Sequence, residues 1–182
     1  SAMLRLEIPM SMYNDLLIQR PDAAATRQLL LLFHGVGSNA EDLRPLGEAL
    51  TAQRPQACVV SVRSPDASDV GQGWQWFSVR GVTDADRPAR VAATMPRFVE
   101  AVRAWQRETG VGPGATTLIG FSQGAIMALE STQLDSPLAA RVVALSGRFA
   151  QPPRIAHGSV RTHLIHGDAD SVMPVRGAVD AL

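Results

Sequence analysis

The chain has 182 residues and a mass of 19.4 kDa, and 46% of its residues are hydrophobic while 19% are charged. These proportions are typical of a soluble globular protein, and the length suits one domain with a sizeable core. We therefore expect residues 1–182 to form a single domain. The 17 basic residues balance the 17 acidic ones, so the chain lacks the positive excess that binds nucleic acid or an anionic membrane surface.

The cysteine count and the distribution of apolar residues lead us to expect a cytoplasmic protein. Cys58 is the only cysteine, so no internal disulfide can form, and its apolar neighbours indicate a buried strand residue rather than a reactive thiol. Residues 1–20 carry charges and lack a continuous apolar core, which argues against a signal peptide. No segment approaches the length of a membrane span.

Short apolar segments bounded by turn residues recur along the chain. Residues 4–8 alternate between apolar and polar side chains and end at Pro9, which predicts a half-exposed edge strand. Continuously apolar runs are typical of parallel strands that helices cover on both faces. Such runs occur at residues 28–33, 57–62, 115–119, 141–145 and 162–166.

Helix-like segments lie between several of these strands. Short helices are predicted over residues 43–50 and 125–129. From about residue 88 to residue 109 the apolar side chains recur at helical spacing, with Asp86 as a candidate N-cap and Gly110 as a candidate C-cap. Strands that alternate with helices in this way predict an α/β fold with a doubly wound, mostly parallel sheet.

Residues 120–124 read Gly-Phe-Ser-Gln-Gly and join a predicted strand to a predicted helix. At such a junction Ser122 would adopt a strained backbone conformation that leaves its hydroxyl exposed at the edge of the sheet, as a nucleophile requires. Gly120 and Gly124 would let the strand and the helix approach closely. A turn without catalytic function is the alternative, because so short a pattern also arises by chance.

Further candidates for acyl transfer follow other predicted strands. The glycine-rich loop at residues 34–39 can direct the N–H of Val36 toward the same point as the N–H of Gln123, which would form an oxyanion hole. Asp168 and Asp170 follow the last predicted strand, and either carboxylate can serve as the acid of a catalytic triad. Both can equally be ordinary turn aspartates.

Three aromatic residues, Trp74, Trp76 and Phe77, interrupt a polar stretch. Large aromatic side chains in this position either cover part of the core or wall a pocket beside the carboxyl edge of the sheet. The sequence pattern leaves both interpretations open.

Four segments occur in the order found in the phospholipase/carboxylesterase family of α/β-hydrolases, which includes the acyl-protein thioesterases, and the chain resembles that family. They read HGVGSNAEDL, QWF, GFSQGAIMALE and HGDADSVMP. The resemblance extends from about residue 29 to the last residue. The roles that it implies are nucleophile for Ser122, triad acid for Asp170, oxyanion donors for Val36 and Gln123, and acyl-pocket contacts for Trp76 and Phe77.

One part of the family pattern is missing from the sequence. The family places its catalytic histidine after the acid, beyond a further strand, whereas no histidine follows Asp170 here. The sequence offers four histidines, each interpreted as structural, namely His34, His157, His163 and His166. We therefore expect the chain to be truncated, without the last strand and helix of the fold. A polypeptide that ends at Leu182 should aggregate or form a homodimer, because apolar sheet surface would be exposed.

These observations predict a serine hydrolase that cleaves carboxylic esters or thioesters with short to medium acyl chains through an acyl-enzyme. The segment at residues 147–161 is too short for a large helical cap, which favours an open site. We expect no metal or cofactor, since neither a metal-ligand cluster nor a nucleotide-binding glycine motif is visible. The alternatives are a peptidase or acyltransferase with the same triad and, because the histidine is missing, a catalytically inactive binding protein.

Overall fold

Eight strands form two sheets in the computed structural model, which describes residues 12 and 14–167. The strands are β1 (Leu16–Gln19), β2 (Gln28–Phe33), β3 (Ala57–Val62), β4 (Asp66–Ala67), β5 (Trp74–Gln75), β6 (Thr116–Phe121), β7 (Arg141–Leu145) and β8 (Arg161–Ile165). The main sheet has the spatial order β1, β3, β2, β6, β7, β8, while β4 and β5 form a separate antiparallel ribbon. In the main sheet β1 is antiparallel to β3, and every other neighbouring pair is parallel.

In the described part of the chain, three α-helices accompany this sheet: α1 (Arg44–Gln53), α2 (Arg87–Thr109) and α3 (Gln123–Ser131). Asp86 occupies the N-cap position of α2 as predicted, but its side chain makes no capping hydrogen bond. Its carboxylate instead accepts hydrogen bonds from Thr83 and Arg90. Gly110 ends α2 in the left-handed conformation, with φ of 70°, as expected of a C-cap glycine. No helix in the described part of the chain combines the length and apolar character that crossing a bilayer requires.

The apolar side chains of β2 alternate between two cores. Leu29, Leu31 and Phe33 pack in the core that α2 and α3 cover, whereas Leu30 and Leu32 pack in the core beneath α1. Both faces of the strand are therefore buried, which is why its sequence is apolar without interruption. The predicted mostly parallel sheet of an α/β-hydrolase is confirmed, and its parallel strands bring their carboxyl ends to one edge.

The edge strand β1 is not predicted by the sequence pattern. Its side chains are half-buried or exposed, and among the described strands it pairs with β3 alone. Its apolar run of three residues is shorter than that of a central strand. The two-residue ribbon strand β4 is likewise not among the predicted strands. The strand predicted at residues 4–8 and the end of the chain after residue 167 lie outside the described residues, so those predictions stay predictions.

Candidate active site

Ser122 lies between β6 and α3 in a strained backbone conformation, with φ of 53° and ψ of −111°. Among the described residues, Ser146 is the only other non-glycine residue with a positive φ. The Ser122 N–H donates to the carbonyl of Leu145 at 2.9 Å, and its carbonyl accepts from the N–H of Ile126 at 3.1 Å. These bonds, one to β7 and one into α3, hold a conformation that an L-residue otherwise avoids.

The two glycines that flank Ser122 permit this sharp turn. A Cβ on Gly124 would lie 2.2 Å from the carbonyl oxygen of Phe33. A Cβ on Gly120 would lie 2.4 Å from the carbonyl oxygen of Gly124. Both distances are far below van der Waals contact, so a side chain at either position would separate α3 from β2 or β6. The role expected of these glycines, close approach of strand and helix, is the one that the structure displays.

His34 holds the loop that follows β2. Its Nε2 accepts a hydrogen bond from the N–H of Ser64 at 3.0 Å, so the ring proton resides on Nδ1, which donates to the carbonyl of Gly35 at 2.7 Å. The ring is fully buried, and burial lowers its pKa below the ordinary value. With both nitrogens engaged in the neutral state, His34 positions the loop and is not available as a general base.

The same loop brings Val36 beside the serine. A Cβ built on Gly35 would lie 3.3 Å from the Cβ of Ser122, so the loop backbone passes directly against the turn after β6. The ribbon strand β5 supports this loop, since the Gly37 N–H donates to the Trp74 carbonyl and the Trp74 N–H donates to the Ser38 carbonyl, both at 3.0 Å. In the described part of the chain, no backbone carbonyl accepts a hydrogen bond from the Val36 N–H.

Gln123 begins α3, and the first N–H groups of a helix have no partner within the helix. Its backbone N–H is therefore free of the helical hydrogen-bond pattern, as an oxyanion donor must be. Its buried side chain has a second task. The amide oxygen accepts from the N–H of Trp76 at 2.8 Å, and the amide nitrogen donates to the carbonyl of Phe77 at 2.9 Å. This clamp fixes the segment after β5 against the start of α3.

A cleft of about 330 Å³ opens above Ser122. Of the predicted site residues it brings together Ser122, Val36, Gln123 and Phe77. Its lining also includes His166, which the sequence patterns suggest to be structural, and seven residues that they do not single out, namely Val79, Val82, Arg87, Ile126, Ser146, Gly147 and Arg148. Those from residue 146 onward follow the carboxyl ends of β7 and β8, so applying the sheet-edge rule to every strand would have found them.

One predicted site residue in the described part of the chain does not line this cleft. Trp76 is 2% exposed and packs in the core, with its ring centroid 5.1 Å from that of Phe98 and 6.4 Å from that of Phe33. The structure therefore favours the core interpretation for Trp76 and the pocket-wall interpretation for its neighbour Phe77. Asp170 lies outside the described residues, as does the competing Asp168, and the choice between them stays a prediction.

Cys58, His157 and His163 do not line the cleft above Ser122, whereas His166 does. Cys58 is buried in β3, and desolvation raises its thiol pKa to about 11, which confirms an unreactive strand residue. His157 bonds through Nε2 to the carbonyl of Leu134, and His163 lies in β8. His166 is the one histidine that lines the cleft. Within residues 12 and 14–167, no cluster of three or more His, Cys, Asp or Glu side chains could hold a metal ion.

The mostly parallel sheet, the strained serine after β6 and the glycine-rich loop after β2 define the class of α/β-hydrolases. The family model for Phospholipase/Carboxylesterase matches residues 14–181, and the chain belongs to that family. The chain is 48% identical over 169 residues to Esterase YpfH of Escherichia coli (strain K12), an alignment that covers 93% of this chain and 72% of that protein.

Solved structures agree with this assignment. Esterase PE8 is 30% identical, with a TM-score of 0.73 over 92% of this chain and 82% of that one. The Bacillus cereus carboxylesterase is 18% identical, with a TM-score of 0.66 over 91% of this chain and 78% of that one. At that lower identity the likeness concerns the fold alone.

Proposed function

We propose that this protein is a serine hydrolase that cleaves carboxylic esters or thioesters with short to medium acyl chains through an acyl-enzyme. The observation that carries the proposal is the strained backbone of Ser122 at the floor of a cleft that Val36 and Gln123 also line. Strain of this kind persists only where the surrounding structure enforces it, and it clusters at functional sites. A protein that only binds its ligand has no physical need for it.

In the proposed reaction the Ser122 hydroxyl oxygen attacks the ester or thioester carbonyl carbon. The N–H groups of Val36 and Gln123 stabilise the negative charge that develops on the carbonyl oxygen. The alcohol or thiol leaves with a proton, and water then attacks the acyl-enzyme and releases the carboxylic acid. By resemblance to the family, Asp170 orients a histidine that accepts the serine proton, and in the family that histidine follows the acid, where this sequence has none.

The lining of the cleft supports a preference for acyl chains of modest length. Its wall includes the apolar side chains of Phe77, Val79, Val82 and Ile126. The volume of about 330 Å³ lies at the lower end of the range for small-molecule sites. Rates on p-nitrophenyl esters should therefore peak at short to medium chains, and rates that rise steadily to long chains would contradict the proposal.

Covalent labelling tests the nucleophile directly. The purified full-length protein should take up one fluorophosphonate, with the adduct mapped by mass spectrometry to Ser122, and should lose both label and esterase activity in Ser122→Ala. Ser146→Ala is the matched control, because Ser146 lines the same cleft and also has a positive φ of 52°. Labelling that survives in Ser122→Ala would show that another residue is the reactive nucleophile and overturn the assignment of Ser122. No labelling of the wild type would favour the catalytically inactive alternative.

A further inference from the structure

Two arginines meet one carboxylate at the wall of the cleft above Ser122. The guanidinium of Arg87 lies 2.6 Å from Oδ1 of Asp84, and the guanidinium of Arg148 lies 3.6 Å from the same oxygen. Both arginines line the cleft, whereas Asp84 does not. Of the described residues that line the cleft, none is an aspartate or a glutamate.

Separate parts of the fold bring these three residues together. Arg87 is the first residue of α2, and its N–H donates to the carbonyl of Thr83 at 3.0 Å, which sets the turn that carries Asp84. Arg148 follows Gly147 at the exit from β7. A Cβ on Gly147 would lie 2.2 Å from the Cβ of Ala125, so this backbone passes directly over the first turn of α3. Arg148 is thereby directed to the same cleft as Ser122.

The cluster keeps one positive charge in excess. The hydrogen bond from Arg87, followed by the positive charges of Arg87 and Arg148, holds the pKa of Asp84 below its ordinary value. Asp84 therefore stays ionised at neutral pH, and two guanidiniums share a single negative charge. The Arg148 side chain is 63% exposed and Asp84 is 89% exposed, so this ion pair is too solvated to be explained by its contribution to stability.

We propose that the substrate carries a carboxylate at the far end of its acyl chain, and that Arg148 and Arg87 bind this group while Ser122 attacks the ester carbonyl. The inference rests on the proposed serine esterase function and names its substrate class. The acyl chain contacts the apolar side chains of the cleft, and the terminal carboxylate meets the guanidinium pair. Guanidinium groups match planar carboxylates with two parallel hydrogen bonds, which favours arginine over lysine for this purpose.

A matched pair of esters tests the substrate class. The monoester of adipic acid with p-nitrophenol and p-nitrophenyl hexanoate have acyl chains of the same length and the same leaving group, and differ in the terminal carboxylate. In Arg148→Gln, kcat/KM should fall about tenfold more for the adipate ester than for the hexanoate ester, as expected for a hydrogen bond between charged groups. The wild type should prefer the anionic adipate ester to the hexanoate ester, and this preference should weaken as the salt concentration rises.

Arg107→Gln is the control, because Arg107 is 59% exposed, forms an ion pair with Glu100, and does not line the cleft. It should leave the ratio of the two rates as in the wild type. Arg148→Lys should restore part of the preference, since it keeps the charge but not the planar geometry. Arg87→Gln should lower the same ratio, with thermal unfolding recorded because the Arg87 side chain is only 15% exposed.

The outcomes separate this inference from the proposed function. In one outcome, hydrolysis of both esters depends on Ser122, but the ratio of kcat/KM for the adipate ester to that for the hexanoate ester is the same in Arg148→Gln and Arg107→Gln. The carboxylate inference is then overturned and the esterase function stands. If neither ester is hydrolysed in that manner, the proposed function fails and the inference fails with it.

Discussion

The side chain of Gln123 donates a hydrogen bond from its amide nitrogen to the carbonyl of Phe77 at 2.9 Å. One residue therefore connects two parts of the candidate site: its backbone N–H is a proposed oxyanion donor, and its side chain holds the wall of the cleft. The amide oxygen completes the connection by accepting from the N–H of Trp76. The geometry of the cleft thus depends on the residue that immediately follows the proposed nucleophile.

Gln123→Leu should loosen this wall while leaving the backbone N–H in place. The substitution leaves the N–H of Trp76 and the carbonyl of Phe77 buried without partners, and each such group costs about 1–3 kcal/mol. We expect a lower thermal unfolding temperature and a kcat/KM reduced about tenfold. Gln133→Leu is the control, because the Gln133 amide oxygen also accepts from a backbone N–H, that of Ile155, but in an exposed position. It should have a smaller effect on activity. Equal effects of the two substitutions would argue against the clamp.

Gly124→Ala should destabilise the junction between β6 and α3. Its Cβ would lie 2.2 Å from the carbonyl oxygen of Phe33, which is backbone of a central strand and cannot move aside. Overpacking of this kind costs about 1–3 kcal/mol or more, measurable as a lower denaturant midpoint. Gly114→Ala is the control, since nothing lies within 4 Å of its Cβ and its φ is not positive. Two variants of equal stability would contradict the close-approach argument.

Comparing glycine and alanine at position 122 should reveal the backbone strain. Both substitutions remove the hydroxyl and with it the proposed activity, so their difference reports on the backbone alone. At ordinary positions glycine is the less stable by about 0.5–1 kcal/mol, but at a φ of 53° we expect Ser122→Gly to be more stable than Ser122→Ala by about 1 kcal/mol. Chemical denaturation measures this difference. At position 131, within α3, we expect the ordinary order, with Ser131→Gly less stable than Ser131→Ala.

The neutral, buried His34 should make stability depend on pH. Its folded pKa lies below the 6.5 of an unperturbed imidazole, so below pH 6.5 the unfolded chain binds a proton that the folded chain does not. The free energy of unfolding should therefore fall as pH decreases from 6.5 toward the folded pKa. His34→Gln, which retains a hydrogen-bonding side chain, should lack this component.

The His34 comparison must be made as a difference between variant and wild type. Burial raises the pKa of Asp15 from 3.8 to about 6, so this carboxyl group contributes stability that is lost as pH rises through that interval, which is the opposite sign. Asp15 is present in both proteins and its contribution cancels in the difference. If the free energies of unfolding of the wild type and His34→Gln differ by the same amount at every pH between 5 and 7, His34 does not carry the effect.

The strands whose bounds the sequence patterns predicted to the residue are buried on both faces. Residues 28–33 and 57–62 coincide with β2 and β3, because a central strand buried on both faces needs an unbroken apolar run. The short strand β1 has one neighbour among the described strands, and its apolar run is only three residues long. Propensity and periodicity describe a segment, whereas pairing at an edge depends on what lies beside it.

The turn at residues 120–124 was also readable from the sequence alone. The spacing of Gly120, Ser122 and Gly124 between a predicted strand and a predicted helix suffices to predict the turn, although the contacts that hold it include Leu145 and Phe33, which are distant in the chain. The neighbours Trp76 and Phe77 were not separable in this way. As neighbours in the chain, one side chain lies in the core and the other lines the cleft. Only the packing of Trp76 against Phe98 shows that Trp76 is the one in the core.

The sequence by itself determined the α/β-hydrolase class, the parallel sheet and the serine at its edge, because local spacing and burial patterns encode these features. Only the tertiary structure placed Arg148 beside Asp84, joined Gln123 to Phe77, and gave His34 a single tautomer through Ser64. Each of these contacts joins residues that are far apart in the chain. Such contacts exist only once the sheet has assembled, because its parallel strands then bring the loops at their carboxyl ends to one edge.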